Sequence, residues 1–247
     1  MPADKQPIPS VWMRPQRQQP QPALSRAQIV SEAIQLLDAE GIEALSMRRL
    51  GTRLGAAATS LYRHVANKDE LIELVVDEVY GEVRVPPADD PAGWRQAVGD
   101  CARSMRSTIL RHPWLTAVLG QVGLVYLGPN MMRTSDRLLA IVRSAGFGAG
   151  EADQAISAVV AYVIGMSTSE AAFLSLLSRS GYSEQEWVEK LWPAAEAAVQ
   201  EHPQLREEYA AQRGKDQQQA REENFVYGLE RILDGLESRL RAVGGPD

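Results

Sequence analysis

From residue 24 onward, apolar residues recur at three- and four-residue spacing, and the breaks between runs hold serine, asparagine, glycine and proline. That is the period of helices, with the residue types that open and close them. The first run opens at Leu24-Ser25-Arg26-Ala27-Gln28-Ile29. Ser25 and Gln28 have capping-box spacing, and Leu24 and Ile29 stand where a hydrophobic staple would close. Ile29, Val30, Ala33, Ile34 and Leu37 follow at helical spacing until Gly41 offers a left-handed stop. Ser46 opens a second helix through Met47, Leu50 and Leu54, ended by Gly55. A turn of Gly55-Ala56-Ala57 leads into a third stretch, Ala58 to His64. Asn67 and Glu70 then cap a fourth helix, Lys68 to Val83, which Pro86-Pro87 stops.

The remainder predicts helices as well. Asp90-Pro91 starts one whose apolar line is Trp94, Val98, Cys101, Met105 and Ile109, running to His112-Pro113. Short helical pieces are expected around 115–119, and Pro129 opens a further helix closed by Gly146. Residues 151–178 read as one long apolar helix. Ser183 to Glu186 is a capping box opening a helix that Pro193 should interrupt, and a last stripe runs Phe225, Leu229, Ile232, Leu233, Leu236 and Leu240. No strand pair, hairpin signal or repeat period is present in the pattern. The expected fold class is all-α. Residues 1–23, with six prolines and five glutamines, predict a disordered arm that offers Lys5, Arg14 and Arg17 as extra contacts to a polyanion.

Composition narrows the function. Over 247 residues, 45% hydrophobic and 23% charged is ordinary globular usage. No run approaches the ~18 consecutive apolar residues of a membrane span. A single cysteine, Cys101, excludes an internal disulfide framework and fits a reducing, cytoplasmic setting. Net charge is −6, which by itself argues against a nucleic-acid partner. Its distribution reverses that: residues 1–68 hold nine Lys and Arg against five Asp and Glu, while the rest carries −10. Phosphate attraction is local, so a basic front on an acidic body suits a modular DNA binder.

Residues 46–64 have the layout of a helix-turn-helix: a helix, a short glycine-containing turn and a second short helix. Met47, Leu50 and Leu54 would bury one face of the first helix, and Leu61 and Val65 would anchor the second. Ala58, Thr59, Ser60, Tyr62, Arg63 and His64 are then left to face a groove or its phosphates. Small residues at the helix start let the backbone approach base edges, and Thr59 offers both a methyl and a hydroxyl. Tyr62 and His64 suit phosphate oxygens, as does Lys68 where the next helix begins. Arg48 is the candidate for bidentate recognition of guanine. Arg49 and Arg53 are expected in non-specific attraction or in salt bridges to the body. On spacing alone, a structural helical hairpin remains an alternative.

Residues 25–80 resemble the DNA-binding domain of the TetR family of bacterial regulators. The string from Leu61-Tyr62-Arg63-His64 through Asn67-Lys68-Asp69-Glu70-Leu71 is similar to that family's recognition-helix signature, and Ser46-Met47-Arg48-Arg49-Leu50 stands where it places the preceding helix. The resemblance implies that Ser46, Arg48, Ala58, Thr59, Ser60, Tyr62, His64 and Lys68 meet DNA. Ala57 departs from the pattern, standing where many members have a Ser or Thr cap. It further implies a three-helix DNA-binding domain over 24–69 and a larger helical domain over 70–247 that binds an effector and dimerises. Residues 128–130, 143–147 and 165 look more loosely like the tetracycline-repressor subgroup.

The expected partners are therefore a double-stranded DNA operator, a second copy of the chain and an unidentified small-molecule effector, with no membrane. Phe225, Leu229, Ile232, Leu233 and Leu236, together with residues 155–177, are expected at the dimer interface, where Gly228 and Gly235 would allow close approach. Met105, His112, Trp114, Tyr126, Asn130, Met131, Tyr162, Met166 and Phe173 are the candidate lining of an apolar effector pocket. No cofactor, metal site or catalytic residue is expected. The three histidines are scattered, and no glycine-rich phosphate loop or Gly-x-Ser-x-Gly elbow occurs. Two rival readings stay open at this point: a helical small-molecule sensor or scaffold without DNA binding, and an enzyme using His112 beside Trp114.

Overall fold

The computed structural model describes residues 24–90, 93–119 and 127–243. Among these residues every regular element is helical. The arm over 1–23, Pro91 and Tyr126 lie outside them, so the expectations placed there are not addressed.

The reading head is built by local chemistry. Helix α1 (Arg26–Glu40) starts on a complete capping box, with Ser25 Oγ accepting from the Gln28 N–H at 3.2 Å and the Gln28 side chain accepting from the Ser25 N–H at 3.0 Å. Helix α2 (Met47–Arg53) is capped by Ser46, whose hydroxyl accepts from the Arg49 N–H. Gly55 turns the chain with φ +63°, a left-handed conformation that disfavours a Cβ. Helix α3 covers only Ala58–Leu61, shorter than the Ala58–His64 stretch the sequence predicts. Its start has no side-chain cap because Ala57 carries no acceptor, and after Leu61 the chain tightens into i→i+3 bonds, Arg63 N–H to Ser60 O and His64 N–H to Leu61 O. Helix α4 (Lys68–Tyr80) begins on Asn67 Oδ1, which accepts from the Glu70 N–H at 2.8 Å.

The body is made of α5 (Gly93–Arg111), a 3₁₀ segment (Pro113–Ala117), α6 (Pro129–Ser144), α7 (Glu151–Ser180), α8 (Glu184–Ala198), α9 (Pro203–Gln212) and α10 (Gln217–Val243). Helix α7 is its spine and packs against α5, α6 and α10. The apolar residues of head and body join in one continuous core that runs from Ile29 and Leu36 through Val75 to Ile141, Val163 and Leu229. One helical expectation changes and one helix was not foreseen. Helix α8 runs straight through Pro193, which sits on its exposed face, where the Glu189 carbonyl it leaves unpaired can be solvated. Helix α9 has no apolar period to announce it and buries none of its residues.

Besides that shared core, two polar clusters tie α1 and α4 to the rest of the body. Asp77 on α4 accepts from the backbone N–H groups of Asn130 and Met131 at 2.9 and 3.0 Å, capping α6, and the Asn130 amide donates back to the Asp77 carbonyl at 3.1 Å. The second lies between α1 and the 3₁₀ segment, where Asp38 meets His112 and Trp114.

Candidate nucleic-acid interface

Buried Leu61 and Val65 pin α3 and the turn after it to the head, so the residues between them must point away. Tyr62 is 51% exposed, and Thr59 and Arg63 are exposed beside it. Ala58, Ser60, His64 and Lys68 are half-buried around that ridge, while Ser46 and Arg48 stand exposed on the preceding helix. The nine sequence-predicted residues therefore lie between the cap of α2 and the first residue of α4: Ser46 and Arg48 at α2, Ala58, Thr59 and Ser60 on α3, Tyr62, Arg63 and His64 in the turn that follows it, and Lys68 opening α4.

The cations of the head divide into two kinds. Arg49 is engaged by Glu40 and Arg53 by Glu32, so both are tied to α1 within the head and not to the body. Arg48 and Arg63 carry no ion pair to a described residue. A free guanidinium keeps its donors for a base edge or phosphate, whereas an engaged one must first give up a carboxylate. Arg48→Ala is accordingly expected to cost about 1–3 kcal/mol at one operator position and to relax sequence preference there. Lys68→Ala should weaken specific and non-specific duplexes alike and lower the salt slope by about one. Binding isotherms against a panel of single-base variants at several salt concentrations separate the two.

Sequence reasoning missed two residues that shape this surface. Arg26, at the start of α1, donates from Nε to the His64 carbonyl at 3.1 Å and ties down the end of the recognition segment. Gly51, buried in the middle of α2, lies against the turn: a Cβ there would sit 2.7 Å from the Ala56 carbonyl oxygen and 3.3 Å from the Ala58 nitrogen. A glycine inside a helix costs about 1 kcal/mol relative to alanine, which was the available signal that its position has a packing reason.

The candidate pocket residues do not converge on one open cavity. Met105 lines a closed apolar seam with Val98, Cys101, Leu138 and Val159, which leaves ≈ 10 Å³, at the limit for a single water. Burial there pushes the Cys101 thiol up to about 12, so it is an inert, protonated core group. His112 and Trp114 turn toward Asp38 on the head, and Asn130, followed by buried Met131, turns toward Asp77. Tyr162 stacks on Phe225 and donates to its carbonyl at 2.9 Å, Phe173 lies under the Arg221 guanidinium, and Met166 packs against the core between them.

The expected dimer residues are also redistributed. Phe225, Leu229 and Leu233 are at most 1% exposed within the single chain, because α10 turns them toward its own α7; Ile232 and Leu236 are half-buried. Gly228 likewise serves its own chain, since a Cβ would sit 2.3 Å from the Tyr162 hydroxyl, whereas Gly235 has open space. One face of α7 remains uncovered. The helix is long and apolar enough by composition to cross a membrane, yet only 22% of its most apolar window is buried. Its open face presents Ala158, Ala161, Gly165, Ala172 and Leu176.

A short exposed helix, pinned by two buried residues beyond a left-handed glycine and flanked by free arginines, defines a helix-turn-helix DNA reader carried on a helical body. Known proteins agree. Residues 29–75 match the bacterial regulatory proteins of the tetR family, and residues 86–240 match the tetracyclin repressor-like C-terminal domain. An HTH-type transcriptional regulator of Saccharopolyspora erythraea is 41% identical over 66% of this chain and 69% of its own length. The HTH-type transcriptional repressor DrrR1 of Streptomyces coeruleorubidus is 34% identical over 88% of this chain and 79% of its own. The Streptomyces coelicolor TetR family protein ActR, solved in complex with actinorhodin, superposes with a TM-score of 0.70 at 32% identity, covering 88% of this chain and 98% of ActR. The chain belongs to the TetR family and is a DNA-binding transcriptional regulator.

Proposed function

We propose that the protein is a homodimeric, cytoplasmic repressor, without catalytic activity, that leaves a pseudo-palindromic operator when a small hydrophobic effector enters the body. The observation that carries this reading is the exposed Thr59–Tyr62–Arg63 ridge, held rigidly by Leu61 and Val65. Its polar and aromatic tips have no role in the packing of the head. One ridge spans only a half-site, so a symmetric pair is needed for a full operator.

The uncovered face of α7 supports the pairing. Small residues at Ala158, Ala161 and Gly165 let a second α7 approach closely, and an exposed apolar face of this length is what a partner copy covers. The effector reading draws on the relative ActR, which holds actinorhodin, and on the apolar seam around Met105. With only ≈ 10 Å³ free, that seam must open to admit a ligand, and its opening is the movement that would reach α4 and the head. Ala161→Glu tests the assembly: it adds a charge where the single chain has solvent, so the fold should persist while the dimer dissociates. Sedimentation equilibrium should report one chain of 27.1 kDa instead of two. Loss of operator binding should follow, and an undisturbed dimer would remove α7 from the interface. Repression is read from a reporter promoter carrying the selected operator, where expression should fall with the protein and return on adding the effector.

A further inference from the structure

His112, between α5 and the 3₁₀ segment, is 4% exposed, and both its ring nitrogens face carboxylates. Nδ1 is 2.7 Å from Asp38 Oδ1 on α1 of the reading head, and Nε2 is 3.2 Å from Glu82 Oε2 just beyond α4. Trp114 Nε1 donates to the same Asp38 oxygen at 2.7 Å, its ring stands edge-on to His112 at 6.1 Å, and Arg111 pairs with Glu82. Head, α4 and body thus meet at one buried imidazole.

We propose that His112 is a positioning residue, the joint that locks the reading head to the body, and that the joint closes only when both ring nitrogens carry protons. A carboxylate is an acceptor only, and a neutral imidazole has one N–H to give. In the neutral ring one nitrogen therefore presents a lone pair to a carboxylate oxygen, a repulsive contact that the ring, itself buried, relieves only by drawing apart from one of its two partners. The protonated ring satisfies both. Since Asp38 belongs to the head and Glu82 follows the helix that links it to the body, losing either bond loosens the angle at which the head is carried. The angle sets the spacing of the two ridges, so operator recognition by this family member becomes sensitive to pH through a residue that never touches DNA. This rests on the regulator reading above only for its consequence, not for the joint itself.

The test follows the joint directly. Imidazole ¹⁵N shifts distinguish singly from doubly protonated rings, and this chain has only three histidines to assign. Head orientation is read in parallel from nitroxides at E43C on the head and D136C on α6, both exposed, with labelled protein diluted into unlabelled chain so that only intrachain distances contribute. Buried Cys101 does not compete for label. Across about pH 5 to about pH 8, the range in which unperturbed histidines change charge, the His112 ¹⁵N shifts and the head-to-body distance distribution should change in step, the distribution broadening as the pH rises. His112→Gln, whose amide turns its donor group to one carboxylate and its carbonyl oxygen to the other, should be broad at every pH. Glu82→Gln changes an exposed position and offers a fold-safe second variant; it should shrink the pH response at least twofold. A distribution equally narrow at both extremes in wild type, or a pH response unchanged in Glu82→Gln, overturns the joint. Operator binding measured on the same samples tells the two readings apart: its absence at every pH refutes the regulator while leaving the joint to stand or fall on the distances.

Discussion

Gly51→Ala is expected to cut operator affinity by ~30-fold or more while the body stays folded, a loss of about 2 kcal/mol or more. Two effects oppose each other at this residue. Alanine is the better helix former and on propensity alone would stabilise α2 by about 1 kcal/mol. Its methyl, however, would lie 2.7 Å from the Ala56 carbonyl oxygen and 3.3 Å from the Ala58 nitrogen, and both are backbone atoms of the turn. No rotamer relieves that contact, so the turn must move and take the start of α3 with it. Base readout depends on contacts placed to a few tenths of an ångström, each worth about 1–3 kcal/mol. Binding isotherms on the operator, with the thermal transition measured alongside, decide it. Unchanged or improved affinity would mean that α3 is not held by its turn.

The largest expected loss of stability comes from Arg106→Met. Arg106 is 9% exposed and joins three helices of the body: Nε and Nη2 donate to the two oxygens of Glu170 on α7 at 2.9 and 3.1 Å, Nη1 engages Glu222 on α10, and the guanidinium lies 4.6 Å from the Phe225 ring centre. Removing one member of a buried pair leaves the other desolvated and unpaired, at a cost of about 3–5 kcal/mol. Arg221, which also reaches Glu170 at 3.2 Å, offsets part of this but is already committed to Glu184. For a chain of this size the melting temperature should fall by roughly 6–20 °C. Arg106→Met with Glu170→Leu should regain much of it, because an apolar pair of similar volume has no charge to strand. Should the single variant cost under about 1 kcal/mol, the cluster is no more than a surface ion pair.

How much of this was legible in the sequence follows the range of the interaction concerned. The caps at Ser25, Ser46, Asn67 and Ser183 bond to residues three positions away, so spacing alone located the starts of α1, α2, α4 and α8. The ridge was legible for the same reason: Leu61 and Val65 fix which neighbours face out. Periodicity also found the stripe on α10, but a stripe has no label for what covers it, and Phe225, Leu229 and Leu233 proved to be covered by their own chain. The small exposed residues of α7 gave no apolar signal stronger than its buried ones. Asp38 and His112 are 74 residues apart, and nothing local to either marks the other. The shortness of α3 was half visible in Ala57, a cap position without an acceptor.

On the proposed function the segment from Ala58 to His64 meets DNA twice in one symmetric assembly. A hydroxyl-radical footprint on an operator enriched from random duplexes measures this most directly. It should show two protected patches related by two-fold symmetry, their centres about 34–36 Å apart or somewhat more, and Thr59→Ala with Tyr62→Ala should erase both without lowering the melting temperature. A footprint that survives those substitutions, or a single unsymmetrical patch, would contradict it.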